Sequence, residues 1–413
     1  MFKNYLLTAY KVFLRRKLFT VINLLCIVLT LVVLMVVTAM LENAFYPSGV
    51  EGKSNRFLQV MVLHMESPDG KSTWTSPLGF KLIDKYLKPM RSVERVAAVT
   101  GTSNVSVYQD GRVTQLDMRR ADANYWKILD FTLLAGRLPT AEDDAQGRLV
   151  AVINQSSARR LFGDAPALDQ TISVNGQRFK IIGVVKDELH INAYADLWTP
   201  ITSAPSSAYR NDMHGEFTAL LLARSAADLP QIQHEVEAIA RSVDLEDPKV
   251  WARAQFWADS KIDAFARLTI GNADRADSGA GTLFTVLASV MLLFMLLPAL
   301  NLVNLNAGRI QERSAEIGVR KAFGATSAQL AWQLVMENVL LCLAGGVLCL
   351  IAAKGVLVWL GSSGLVPYMD VHINLAVMAY GLLITLVFGL LSGVLPAWKM
   401  SRLDPVHALK GAI

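Results

Sequence analysis

Six histidines, three cysteines and one run of three consecutive carboxylates are the residues of this 413-residue chain that stand out as able to do covalent or metal chemistry. His64, His190, His214, His234, His372 and His407 are scattered, with no H-x-x-x-H or H-E-x-x-H spacing to bring two onto one helix face around a metal. Cys26, Cys342 and Cys349 all fall in long apolar stretches, so neither a disulfide framework nor a thiolate metal site is expected elsewhere. Glu142, Asp143 and Asp144 are consecutive and follow Pro139, the pattern of a solvated turn rather than of an opposed acid and base. No G-x-x-x-x-G-K-[ST] loop is present to cradle ATP phosphates, and no G-x-S-x-G nucleophile elbow. The expectation is a chain with no catalytic residue, no metal and no bound cofactor of its own.

A second kind of chemistry is electrostatic. Between Arg309 and Thr326 the chain reads RIQERSAEIGVRKAFGAT, a charged segment wedged between apolar stretches. Such a segment cannot sit in hydrocarbon and must emerge at a membrane face. Glu316 precedes Arg320 by four residues, the favourable order for a helical ion pair. Ala315, Gly318, Val319 and Ala322 form a small-residue face. Gly324 suits the left-handed position that ends a helix, and Thr326 with Gln329 makes a capping box for the next one. The segment reads as a short, rigid helix built to be gripped by another protein. Near the end of the chain, Asp404 and Pro405 start another short helix.

The elements that position this segment are membrane spans. The hydrophobic fraction is 53% and the charged fraction 18%, too apolar for an ordinary soluble chain. A bilayer core needs roughly 20 residues of helix, and four stretches reach that length: residues 18–41, 283–305, 328–360 and 373–398. The first is read as an uncleaved anchor, since its apolar run exceeds a signal peptide's and no A-x-A site follows. Residues 1–17 place Phe2, Tyr5, Leu6, Ala9, Val12 and Phe13 at helical spacing among basic residues, as in an amphipathic helix lying on membrane lipid. Lys and Arg cluster before the first span, in 306–327 and in the tail 399–413, while the loop 361–372 has neither. Both termini and the charged segment are therefore expected in the cytoplasm, and residues 42–281 outside.

Inside the spans, Asn23, Asn301 and Asn304 lie near the cytoplasmic end and are expected to exchange interhelical hydrogen bonds. Glu337 and Lys354, roughly 25 Å apart along a helix, are expected near opposite interfaces, within reach of headgroups. Pro298 should bend the second span, and Gly389-x-x-x-Gly393 permits close helix contact. The external region reads as α+β, of a size for two subdomains. Arg148–Asn154, Thr171–Val185 and Phe217–Arg224 read as strands, with Asn175-Gly176 as a hairpin turn. Helices are predicted at Pro77–Leu87, Ser156–Leu161 and Leu229–Val243, and GNADRADSGAGT is a connector back to the membrane. The fold class expected is an α-helical membrane protein with four transmembrane helices and a large α+β extracytoplasmic domain between helices 1 and 2.

The stretch NLVNLNAGRIQERSAEIGVRKAFGATSAQL resembles the signature of MacB/FtsX-type ABC transporter permeases, as do QLVMENVLLCLAGG and the ending GLLSGVLPAWKMSRLDPVHALKG. YWKILDFTLLAGRLPT, VAVINQSSARRLFGD and TISVNGQRFKIIGVVKD resemble the MacB-type periplasmic core domain. The resemblance covers nearly the whole chain in order. It implies a multi-pass protein of the bacterial inner membrane, dimerised with a second permease (itself or a paralogue). A cytoplasmic ABC ATPase dimer, which would bind the ATP and Mg, docks on the loop between spans two and three. It assigns coupling to Arg309, Glu312, Arg313, Glu316, Gly318, Arg320, Lys321 and Gly324. MacB carries its ATPase fused, whereas this chain has no nucleotide loop, so the resemblance implies an ATPase in trans. Two outputs stay open: extrusion of periplasmic substrates through an adaptor and outer-membrane duct, or FtsX-like switching of a cell-wall hydrolase. An enzymatic external domain is disfavoured by the missing constellations, and nucleic acid is not an expected partner.

Overall fold

The computed structural model describes residues 17–363, apart from 189, 246, 313–318, 320–322 and 325, together with positions 375, 379, 380, 382, 383, 386, 387 and 390. All but Lys17 of the expected amphipathic segment 1–17, most of the fourth span, the Gly389/Gly393 pair and the tail lie outside the described residues. The chain divides into two compact units, Met1–Glu42 with Thr285–Ile413, and Asn43–Phe284.

Three long helices dominate the first unit: Lys17–Phe45, Ala280–Glu312 and Ser327–Ser363. Within them Thr20–Glu42 and Val335–Gly361 are long and apolar enough to cross a bilayer. The helix Ala280–Glu312 runs on through Pro298 without interruption. The first and third helices share an apolar seam of Ile27, Leu31, Val32 and Met35 against Cys342, Cys349 and Ala353. Gly345 makes the approach possible, because a Cβ there would stand 2.6 Å from Ile27 Cγ2. Small residues at helix contacts are the usual device where lipid removes the hydrophobic drive to associate.

The second unit is built on a ten-stranded sheet. Its strands are β1 (Phe57–Val60), β4 (Val93–Thr100), β5 (Ser103–Gln109), β6 (Arg112–Ala121), β7 (Leu133–Gly136), β8 (Val150–Asn154), β9 (Thr171–Val174), β10 (Gln177–Val185), β11 (Leu197–Pro200) and β12 (Phe217–Ala223). They run in the order β1-β12-β4-β6-β11-β8-β10-β9-β5, with β7 on β10. The pairs β10–β8 and β11–β6 are parallel. A smaller antiparallel sheet joins β2 (Leu63–Glu66), β3 (Thr73–Ser76) and β13 (Arg253–Gln255). Strands β8 and β11 are buried along their whole length, which fits their continuous apolar runs with both faces covered. The predicted hairpin is present: Asn175 and Gly176 take φ of 48° and 85°, and β9 pairs β10 in register from Val174↔Gln177. The predicted helices also form: Pro77–Leu87 as the short α-helix Phe80–Leu82 running on into a π-helical turn, Ile83–Leu87, and the other two as Gln155–Phe162 and Leu229–Ser242.

The acidic run departs from expectation. Instead of a solvated turn it opens the helix Ala141–Ala145, capped reciprocally by Thr140 and Asp143. Asp143 is fully buried. The reason is a guanidinium fork: Arg137 donates to both its oxygens at 2.6 and 2.9 Å, and Arg148 adds a third bond at 3.1 Å. Arg137, with these hydrogen bonds, holds the Asp143 carboxyl far below the usual carboxylate range.

Its neighbour behaves oppositely. Burial pushes Asp144 up to about 6, although its Oδ2 accepts from the Ala123 N–H at 2.7 Å. The folded chain thus holds this proton to higher pH than the unfolded chain, whose value is 3.8. Stability from this group is greatest below that window and falls as pH rises through about 4 to 6. Asp144→Asn keeps the acceptor and removes the titration. It should raise the melting temperature at pH 7 and change it little at pH 3, below both values. Equal shifts at both pH values in thermal melts would refute this account.

Candidate functional site

The segment singled out by its charges is described at its two ends. Arg309 and Glu312 lie on the last turn of Ala280–Glu312, and Asn301 and Asn304 lie on the same helix. Arg313, Glu316, Gly318, Arg320 and Lys321 fall outside the described residues, and so does the expected Glu316–Arg320 pair. At the far end, Gly324 takes φ +91°, the left-handed conformation expected of it. The capping box follows: Gln329 N–H donates to Thr326 Oγ1 at 3.3 Å, and Thr326 N–H donates to Gln329 Oε1 at 3.1 Å. The helix Ser327–Ser363 therefore begins on a fixed turn. Phe323 just before it is 89% exposed, an apolar ring held out on the turn by the Phe323 N–H to Val319 O bond of 3.0 Å.

Glu337 is turned inward on its helix. It is 1% exposed, and its Oε1 accepts from Gln333 Nε2 at 3.3 Å. Position along the helix axis suggested an interface, but the helix phase turns this residue toward its neighbours. Asn23 is equally buried, yet neither of its side-chain polar atoms finds a hydrogen-bond partner among the described residues. The side chains of Asn301 and Asn304, its expected partners, lie outside the described residues.

In the second unit, the segments that lead out of the first long helix and into the second are both fastened to one helix, Lys261–Ile270. Phe45, the last residue of Lys17–Phe45, packs edge-on against Phe265 with centroids 5.1 Å apart. Six residues further, Glu51 is fully buried and ion-paired with Lys261, itself 4% exposed. Glu51 Oε1 also accepts from the Asn192 N–H at 2.9 Å, and Asn192 O accepts from Tyr125 Oη at 2.8 Å. On the return path, Arg267 grips the Gly271–Gly279 part of the predicted connector GNADRADSGAGT, whose last three residues already belong to the helix Ala280–Glu312. Its Nε and Nη2 donate to Asp259 at 2.6 and 2.9 Å. Its Nη1 donates to the carbonyls of Asn272 and Arg275 at 2.8 and 2.5 Å, and Nη2 to that of Ala276 at 3.3 Å. The guanidinium also stacks over the Trp257 ring at 4.5 Å. Ser278 Oγ donates to Asp263 at 2.7 Å, closing the connector onto the first turn of the helix.

This bracket of Glu51, Asp259, Lys261, Asp263 and Arg267 was missed in the sequence. Glu51 and Lys261 are far apart in the chain, and neither sits in a recognisable motif. The one local signal was Ser260 three residues before Asp263, a helix start whose N–H to Oγ bond is 3.2 Å. No group of three or more His, Cys, Asp and Glu residues suited to a metal occurs among the described residues. The bracket does no bond-making; it fixes where two strands of chain leave one domain.

Residues 20–239 match the family model of the MacB-like periplasmic core domain, and residues 288–405 that of the FtsX-like permease C-terminal. An uncharacterized ABC transporter permease of Bacillus subtilis, YknZ, is 25% identical over 79% of this chain and 77% of its own length. A macrolide export ATP-binding/permease protein MacB of Bdellovibrio bacteriovorus is 25% identical over 76% of this chain, which spans about half, 48%, of that relative. Among solved structures, the extracellular domain of a YknZ transporter from Gram-positive bacteria aligns with a TM-score of 0.38 at 18% identity, over 48% of this chain and 98% of that one. The chain thus belongs to the family of the MacB-like periplasmic core domain and is an ABC transporter permease of MacB/FtsX type.

Proposed function

We propose that this chain is the permease subunit through which ATP hydrolysis on a separate cytoplasmic ATPase moves a periplasmic domain, driving export of periplasmic substrates. Four spans would carry it across the inner membrane with both termini in the cytoplasm. A second permease and an ATPase dimer would complete the complex, with ATP and Mg held on the ATPase. A periplasmic adaptor and an outer-membrane duct are the natural recipients of its output. The observation that carries this reading is the bracket: chain leaving the first long helix and chain entering the second are pinned to one helix of the external domain. Motion applied to either would be delivered to the domain rather than absorbed in a slack linker. The naming of the Bacillus subtilis relative as a permease alone supports an ATPase in trans. FtsX-like switching of a cell-wall hydrolase remains the second reading, favoured by the FtsX-like C-terminal portion.

The test is reconstitution of the full chain with a co-purifying ATPase in nanodiscs, with spin labels on the external domains. Adding ATP and then trapping hydrolysis should change the label distances, while the permease alone should bind no nucleotide. Distances indifferent to nucleotide would reject transmission. Affinity capture from cells separates the outputs: an adaptor favours export, and a cell-wall hydrolase favours switching.

A further inference from the structure

The seam between Lys17–Phe45 and Ser327–Ser363 changes character toward the starts of both helices. Ile27, Leu31 and Met35 face it from the first helix, and Asn23 and Thr20 continue that face one and two turns earlier. Cys342 and Cys349 face it from the other, and Asn338 continues that face one turn earlier, beside Glu337. Asn23, Glu337 and Asn338 are each 1% exposed. Two contacts set the register: Gly345 lies against Ile27, and Cys349 Sγ stands 3.5 Å from Met35 Sδ. At about 1.5 Å of rise per residue, either contact places Asn23 and Asn338 within one helical turn of each other along the axis.

Yet the two carboxamides are not bonded. None of the four side-chain polar atoms of Asn23 and Asn338 has a hydrogen-bond partner among the described residues. Buried polar groups are almost always paired, and hydrocarbon offers no water to compensate. Leucine at both positions would extend the apolar seam already present one turn away. A residue pair that weakens one arrangement of two helices persists where a second arrangement satisfies it.

We propose that Asn23 and Asn338, with Glu337 beside them, form a polar layer that pairs across the first and third membrane helices in the other conformation of the transport cycle. The layer then holds that second register as the apolar seam holds this one. These are positioning residues: they touch no substrate and act by setting the relative energy of two helix packings. The inference rests on the transmission reading above, since it supplies the two conformations.

The full chain, with its ATPase, tests this in three arms. In a background with Cys26, Cys342 and Cys349 replaced by alanine, the pair Asn23→Cys and Asn338→Cys should cross-link weakly without nucleotide and several-fold more when hydrolysis is trapped. In the nucleotide-free chain, Asn23→Leu with Asn338→Leu should raise the melting temperature by about 2–4 °C. In the assembly, the same leucine variant should lose most of the ATP-driven change in label distance. A merely structural role predicts the reverse, with melting temperature and motion falling together. Cross-linking that ignores nucleotide in an assembly whose domains move overturns the layer, as does a lowered melting temperature in the leucine variant. If the domains of the native chain do not move at all, the transmission reading fails instead, and the melting arm still decides whether the carboxamides are unpaired at rest.

Discussion

Arg267→Ala is expected to destabilise the external unit by about 3–5 kcal/mol, the range for removing one partner of a buried ion pair. Asp259 would be left 6% exposed without its fork. Burial already holds its carboxyl above the ordinary value even with Arg267 in place. Three carbonyls of the connector would lose their donor at the same time. Arg267→Lys should recover only part of the loss, because one ammonium cannot span two carboxylate oxygens and three carbonyls as a planar fork does. Urea unfolding of the full chain in detergent measures the first effect, and the rate of proteolytic nicking between Gly271 and Gly279 measures the second. An alanine variant that unfolds at the native urea concentration, with its connector still protected, would show that the bracket is ornamental.

What the sequence discloses depends on the range over which its signals act. The hairpin at Asn175-Gly176, the left-handed turn at Gly324 and the Thr326–Gln329 box are local, and each is found where its residue types require it. Apolar runs give the long helices for the same reason. Asp143 was misread although its partners lie only six and five residues away, because an acidic run after a proline reads as solvated until two guanidinium groups close on it. The inward turn of Glu337 depends on elements that the local sequence does not contain. The fork from Arg137 and Arg148 makes Asp143 an interior residue, and helix phase turns Glu337 inward. The Glu51–Lys261 pair was invisible for a stronger reason, since only the folded sheet brings chain positions so distant together. Family membership was legible because it rests on ordered motifs along the chain, while substrate recognition leaves no such trace in the residues described.

On the proposed reading, the largest functional effect should come from Gly324→Val. The residue stands at φ +91° between the charged segment and the capping box. A β-branched side chain has no comfortable place there, and forcing one into the left-handed region costs about 1–3 kcal/mol. The turn would relieve that strain by rotating, so the helix Ser327–Ser363 would start in another direction relative to whatever grips the segment before it. A coupling energy of that size corresponds to roughly 5- to 150-fold. ATP hydrolysis by the partner should therefore continue while the nucleotide-dependent displacement of the external domains collapses, with membrane insertion unchanged. Gly324→Asn supplies the control, because asparagine tolerates the left-handed conformation and should keep most of the coupling. Hydrolysis and displacement measured on the same nanodiscs separate the cases. If the valine variant moves its domains as the native chain does, Gly324 is only a helix end and the input lies elsewhere in the cytoplasmic segment. If hydrolysis and displacement fall in proportion, the turn serves docking rather than transmission.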